Sequence, residues 1–148
     1  MGLYTVTWLV GRRMASRSQG TIVNVSSLMG KVAAPTMATY SATKFAVVGV
    51  TQALRHELAP HGVRVVTLLP SLTDTDMVRE FNLFRGVMPL STHQVAQGLM
   101  TGLKSRNSEI TVGWQSHLAL WVHQFVPQLM DAVIRFTSAS YARPAPPK

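Results

Sequence analysis

Tyr40 and Lys44 stand four residues apart in the segment YSATK, and Ser27 lies thirteen residues before the tyrosine in NVSS. Four residues is about one helical turn, so Tyr40 and Lys44 share a face if the segment is helical. A phenol ordinarily gives up its proton near pH 10, and an ammonium one turn away favours its anion. A serine hydroxyl can hold a carbonyl or alcohol oxygen against that phenol. Together the three residue types are suited to passing a proton at such an oxygen. Each has a plainer reading: a tyrosine at a helix start, a surface lysine, a turn serine for which Ser26 would serve equally.

The elements that must position these residues follow from the apolar pattern. Residues 3–18 read as a helix with Leu3, Val6, Leu9, Val10 and Met14 as its apolar stripe. Thr21 to Val25 reads as a buried strand, rich in β-branched residues. A loop reaches Pro35, and a helical pattern runs from Ala38 to Leu58, stopping before Pro60 and Gly62. Val63 to Leu69 is a second apolar strand. Strand, long helix, strand is a parallel crossover unit, right-handed by default. A short helix is expected over residues 73–84. Ser91 caps a helix to about Arg106, with Val95, Leu99 and Leu103 on one face. Glu109 to Val112 reads as a third strand. His117 to Phe136 reads as a helix interrupted by Pro127. The proline-rich residues 138–148 read as a disordered tail. The chain is expected to form one α/β domain over residues 1–148.

These blocks, taken together, resemble the short-chain dehydrogenase/reductase family. The resemblance runs from Gly20 to Met77. It rests on NVSS, on Gly30 and Pro35, on YSATK, on ELAPHGVRV, and on Pro70 to Thr75 where the family carries P-G-x-x-x-T. It implies a partial Rossmann-like fold of three layers with a short parallel sheet. It also implies an oxidoreductase that interconverts a carbonyl and an alcohol with NAD or NADP. Ser27, Tyr40 and Lys44 would be its catalytic residues, with Ser27 preferred to Ser26 because its spacing to Tyr40 matches the family. Tyr40, Lys44, Pro70, Ser71, Thr73 and Thr75 would contact the cofactor. Ser71 replaces the family's glycine, which departs from the pattern and narrows the space for a cofactor.

The same family receives the cofactor pyrophosphate on a glycine-rich turn after the first strand. No G-x-G-x-x-G or G-x-x-x-G-x-G precedes Ser27, and Gly2 and Gly11 are isolated. The asparagine that completes the family's catalytic tetrad would fall ahead of Met1; Asn24 is not that residue. The resemblance therefore implies the C-terminal portion of such an enzyme, truncated and inactive by itself. The alternative is a remnant that acts as an interaction module. In the family the two helices at 1–18 and 38–58 pair with their copies, so a homo-oligomer is expected, with Leu3, Leu9, Val47, Val50 and Leu54 as contacts.

Composition limits the rest. Apolar residues make up 47% of the 148, too many for a disordered chain, and there is no cysteine for a disulfide or thiolate metal site. A cytoplasmic location is expected. The five histidines show no metal spacing, so no metal is assigned. Fourteen Lys and Arg against six Asp and Glu give a net charge of +8, but the charges are scattered and no nucleic-acid partner is expected. Residues 76–88, apolar at Met77, Val78, Phe81 and Phe84, would form a lid over a small-molecule substrate, one with hydrophobic character. The stretch from Trp114 to Phe136 has three readings: cover for the sheet, wall of a substrate pocket, or a helix docked on a membrane surface.

Overall fold

VRVVTLL, from Val63 to Leu69, forms a strand in which every residue but Arg64 is buried. The computed structural model describes residues 2–75 and 87–138. In it this strand, β2, lies at the centre of a three-stranded parallel sheet, between β1 (Gly20–Val25) and β3 (Glu109–Thr111). Ile22 is opposite Val65 and Val23 is opposite Val66; Leu68 is opposite Ile110. Successive side chains of a strand point to opposite faces, and the core divides accordingly. Val63, Val65 and Ile22 pack with Leu54, Leu58, Val50 and Met14 on one face. Val66, Leu68, Val23 and Ile110 pack with Val95, Leu99 and Leu103 on the other.

The first face is covered by α1 (Gly2–Ala15) and α2 (Ala38–Leu58), the second by α3 (Thr92–Lys104). Ser91 caps α3 with a reciprocal capping box: its hydroxyl accepts from Gln94 N and the Gln94 side chain accepts from Ser91 N. Two further helices follow β3, namely α4 (Trp114–Phe125) and α5 (Pro127–Ser138). This is the α/β arrangement expected, three layers on a short parallel sheet.

Several boundaries and faces differ from the sequence reading. α1 ends at Ala15 instead of residue 18, because the following turn closes with Ser18 at φ 52°. Its buried residues are Thr7 and Gly11, while Val6, Leu9 and Val10 face outward. The close approach of α1 depends on Gly11: a Cβ there would lie 2.5 Å from Leu58 Cδ1. Leu54, expected at a subunit contact, is 2% exposed and belongs to the chain's own core. β3 stops at Thr111. The helical stretch expected over 117–136 starts earlier, at Trp114, and its expected interruption at Pro127 divides it into two helices, with Pro127 opening the second, where its missing N–H costs nothing. Residues 73–75 are not helical; Thr73 bridges to Leu90. The rest of that expected helix and most of the expected lid lie outside the described residues, as does the tail from 139 onward.

A buried polar chain ties α1, β1 and α2 together. Thr7 Oγ1 donates to Asn24 Oδ1 at 3.1 Å, Asn24 Nδ2 donates to Thr51 Oγ1 at 3.0 Å, and Thr51 Oγ1 donates to Val47 O at 2.6 Å. All three side chains are buried, so each depends on its neighbours for hydrogen bonds. Asn24→Ala should therefore lower stability by about 1–3 kcal/mol in urea unfolding. An unchanged midpoint would mean that the network contributes nothing.

Candidate active site

The β1–β2 hydrogen-bond ladder runs on past the strands. Ser26 N donates to Leu68 O at 2.9 Å and Leu28 N donates to Pro70 O at 2.8 Å. The serine loop and the Pro70 loop therefore leave the carboxyl ends of two paired strands side by side, the place where open α/β sheets bind ligands. The two serines have different tasks. Ser26 is buried and its Oγ donates to the Lys44 carbonyl at 2.8 Å, which fastens the loop to the first turns of α2. Ser27 is extended, and its Oγ accepts from Met29 N at 3.2 Å to cap the 3-10 turn Leu28–Gly30. That bond uses an oxygen lone pair and leaves the hydroxyl hydrogen to donate.

Tyr40 lies in the first turn of α2 and Lys44 one turn on. Lys44 Nζ sits 5.5 Å from the centroid of the Tyr40 ring, inside the range of about 6 Å in which a cation is held by an aromatic face. The ammonium makes no ion pair among the described residues.

Ser27 and Tyr40 border one cavity of about 650 Å³, and Pro70, Ser71, Thr73 and Thr75 border it too. Lys44 is not on its wall; it meets the cavity through the tyrosine ring. The loop from Pro70 to Thr75 is held by its own hydroxyls, Thr73 Oγ1 to Ser71 O at 3.0 Å and Thr75 Oγ1 to Thr73 O at 3.4 Å. Asp74 N donates to Leu90 O and Leu90 N to Leu72 O, both at 2.8 Å, which closes the loop against the chain re-entering before α3. Ser71 is not among the residues with positive φ, so serine takes the family's glycine position without left-handed strain.

The remaining wall was only partly legible. Met29, Val32 and Met37 come from the loop before α2, and the sequence offered no periodic signal for them. α4 and α5 supply an inner face that includes Trp114, Leu118 and Val122, spaced four apart, with Met130 and Ile134. Of the three readings of this stretch, the one visible here is that part of it borders the cavity. No cluster of metal-binding side chains occurs among the described residues, and none of the described helices is long and apolar enough to cross a membrane.

The sequence profile described as short chain dehydrogenase matches residues 1–86, more than half of the chain. The chain belongs to this family. Among relatives of this short-chain dehydrogenase chain, a marmoset (Callithrix jacchus) estradiol 17-beta-dehydrogenase 8 is 34% identical over 95 residues, covering 60% of this chain and 71% of the relative. A zebrafish (Danio rerio) hydroxysteroid 11-beta-dehydrogenase 1-like protein is 32% identical over 122 residues, 80% of this chain and 42% of that one. Among solved structures, a short chain dehydrogenase from Burkholderia cenocepacia in complex with NADP superposes with a TM-score of 0.73 at 30% identity, over 82% of this chain and 49% of that chain. The chain thus spans less than half the length of the zebrafish and Burkholderia proteins. The parallel sheet with helices on both faces is the family's Rossmann-like fold in part.

The clamp between the serine loop and α2 gives a test through two glycines. A Cβ on Gly30 would lie 2.6 Å from Ser26 Oγ and 2.8 Å from Lys44 O, whereas one on Gly49 in α2 would meet nothing within 4 Å. Gly30→Ala should destabilise by about 1–3 kcal/mol. Gly49→Ala should stabilise by up to about 1 kcal/mol through helix propensity. Thermal unfolding of both variants checks the pair, and equal shifts of one sign would contradict it.

Proposed function

We propose that these residues form the catalytic part of an NAD(P)-dependent oxidoreductase that interconverts a carbonyl and an alcohol. The observation that carries the reading is the meeting of Ser27, Tyr40 and the Pro70–Thr75 loop on one cavity, with Lys44 against the tyrosine ring. In the reductive direction Ser27 Oγ donates to the carbonyl oxygen and orients it. Tyr40 Oη gives that oxygen its proton, and the Lys44 charge beside the ring stabilises the phenolate left behind. In the oxidative direction the same groups receive the proton. When bound, NADH or NADPH would supply the hydride in reduction, and the oxidised cofactor would accept it in the reverse direction.

The residues present suit the nicotinamide end of that cofactor. Lys44 makes no ion pair among the described residues, which suits donation to the ribose hydroxyls, and Tyr40 stands beside it. Pro70, Ser71, Thr73 and Thr75 edge the cavity at the strands' carboxyl ends. The 148 residues carry no glycine-rich turn for the pyrophosphate, so the chain by itself should bind NADPH weakly. Nothing among the described residues at this end prefers either nucleotide. The solved Burkholderia relative holds NADP, and other relatives are named as reductases, including a 3-oxoacyl-[acyl-carrier-protein] reductase from Synechocystis. A cytoplasmic location belongs to the reading; the lack of cysteine accords with a reducing compartment.

A chimera tests it. The nucleotide-binding segment of the Burkholderia relative, placed ahead of residue 2, should give ketone-dependent NADPH oxidation, and Tyr40→Phe should lower kcat by roughly 100-fold or more. Activity indifferent to Tyr40→Phe would contradict the assignment. Nucleotide titration of the chain alone adds a check: tight, micromolar NADPH binding would show a pyrophosphate site that the sequence does not reveal.

The exposed apolar residues of α1 favour a second reading. Tyr4, Val6, Trp8, Leu9 and Val10 all face outward, as does Phe45 on α2, and a monomer has little reason to expose so many together. In this reading the chain is a dimerisation module, pairing with a copy through residues 1–18 and 38–58. Light scattering on a sizing column should then give twice the 16.2 kDa chain mass; a strictly monomeric peak would contradict it.

A further inference from the structure

The cavity beyond Ser27 and Tyr40 has a chemistry of its own. Apart from Tyr40, no titratable side chain borders it among the described residues. Its largest wall comes from the inner faces of α4 and α5, where Leu118, Val122, Met130, Val133 and Ile134 present carbon. Its volume of about 650 Å³ falls in the range of roughly 300–1,000 Å³ that takes drug-sized ligands. A ketone of a few carbons would leave most of that wall wet. Among the described residues no cation borders the cavity to pair with a carboxylate or phosphate.

Resting on the proton-transfer reading of Ser27 and Tyr40, we infer that the reacting carbonyl or secondary alcohol is carried on a large, uncharged, apolar body. A fused-ring or long-chain skeleton fits. Its oxygen is held at Ser27 and Tyr40, and its carbon frame lies against α4 and α5. Ala119 is a specificity-determining residue: its small side chain on the inner face of α4 sets the width available to the frame. The helical pair is therefore part of the substrate site, and the burial of apolar surface there supplies the affinity.

Calorimetric titration of the purified full chain, without nucleotide, tests this. trans-1-Decalone serves as a fused-ring ketone and levulinate as a small charged one. Decalone should bind saturably at one site, at least tenfold tighter than levulinate. Ala119→Phe should weaken decalone at least tenfold with an unchanged circular dichroism spectrum. Trp121→Ala should leave binding unchanged, because Trp121 is exposed and does not border the cavity. If Ala119→Phe does not fold, Val122→Phe fills the same wall, and the comparison of the two ketones on the unaltered chain decides by itself. Levulinate binding as tightly as decalone would overturn the inference, as would decalone binding that Trp121→Ala abolishes and both phenylalanine variants spare. No nucleotide or proton transfer enters this experiment. Its failure would leave the redox reading intact, and that reading fails separately if the chimera turns over a small ketone without needing Tyr40.

Discussion

The backbone ladder between β1 and β2 does not stop where the strands stop. Ser26 and Leu28 go on donating to Leu68 and Pro70, so two loops that would otherwise diverge are held a hydrogen bond apart. Parallel strands need a crossover between them, and here it is α2, which returns the chain to the sheet while carrying Tyr40 and Lys44 in its opening turns. The pairing of two strands thereby brings the Ser27 loop and the Pro70 loop, more than forty residues apart in sequence, to one place. The ladder sets Ser27 beside the Pro70 loop, and the packing of α2 on Val63 and Val65 through Leu54 and Leu58 sets the tyrosine.

Adjacent serines divide the labour at the junction. Ser26 spends its hydroxyl on the Lys44 carbonyl, and the bare backbone of Gly30 leaves room for that bond. Ser27 accepts a backbone hydrogen and keeps its own. The polar chain through Thr7, Asn24 and Thr51 is the counterpart deeper in the fold. It registers α1 and α2 on β1 by direction-specific bonds where aliphatic packing alone would tolerate sliding. Lys31 and Glu109 form an ion pair at 2.9 Å that ties the loop after Gly30 to the start of β3. Both groups are partly exposed, so it contributes little stability.

Much of this was legible in the chain. β-Branched and continuous apolar runs marked the two long strands, and the helix over 38–58 was bounded by Pro60 and Gly62. Ser91 announced the start of α3, and the structure adds Gln94 to its cap. What sequence could not give was which face of α1 turns inward. The apolar stripe at Val6, Leu9 and Val10 suggests one face, yet Thr7 and Gly11 are the buried pair. There a hydrogen bond to Asn24 and close backbone approach outweigh side-chain hydrophobicity. Leu54 was misplaced for the related reason that an apolar helix residue serves a core and a subunit contact equally well. The choice of Ser27 over Ser26 rested on spacing; in the fold Ser26 Oγ donates to the Lys44 carbonyl, whereas Ser27 Oγ accepts from Met29 N. The cavity wall on α4 and α5 needed the structure, since an inner face and an outer face are both apolar in that stretch.

The central claim is that Ser27 and Tyr40 act on one carbonyl oxygen. Infrared spectroscopy of ¹³C-carbonyl cyclohexanone bound at saturation addresses it directly, because each hydrogen bond donated to a carbonyl lowers its stretching frequency. The account expects a lowered frequency on the unaltered chain, part of the shift lost in Ser27→Ala, part in Tyr40→Phe, and all of it lost in the double variant. A bound carbonyl with the same frequency in the unaltered chain and the double variant would contradict it.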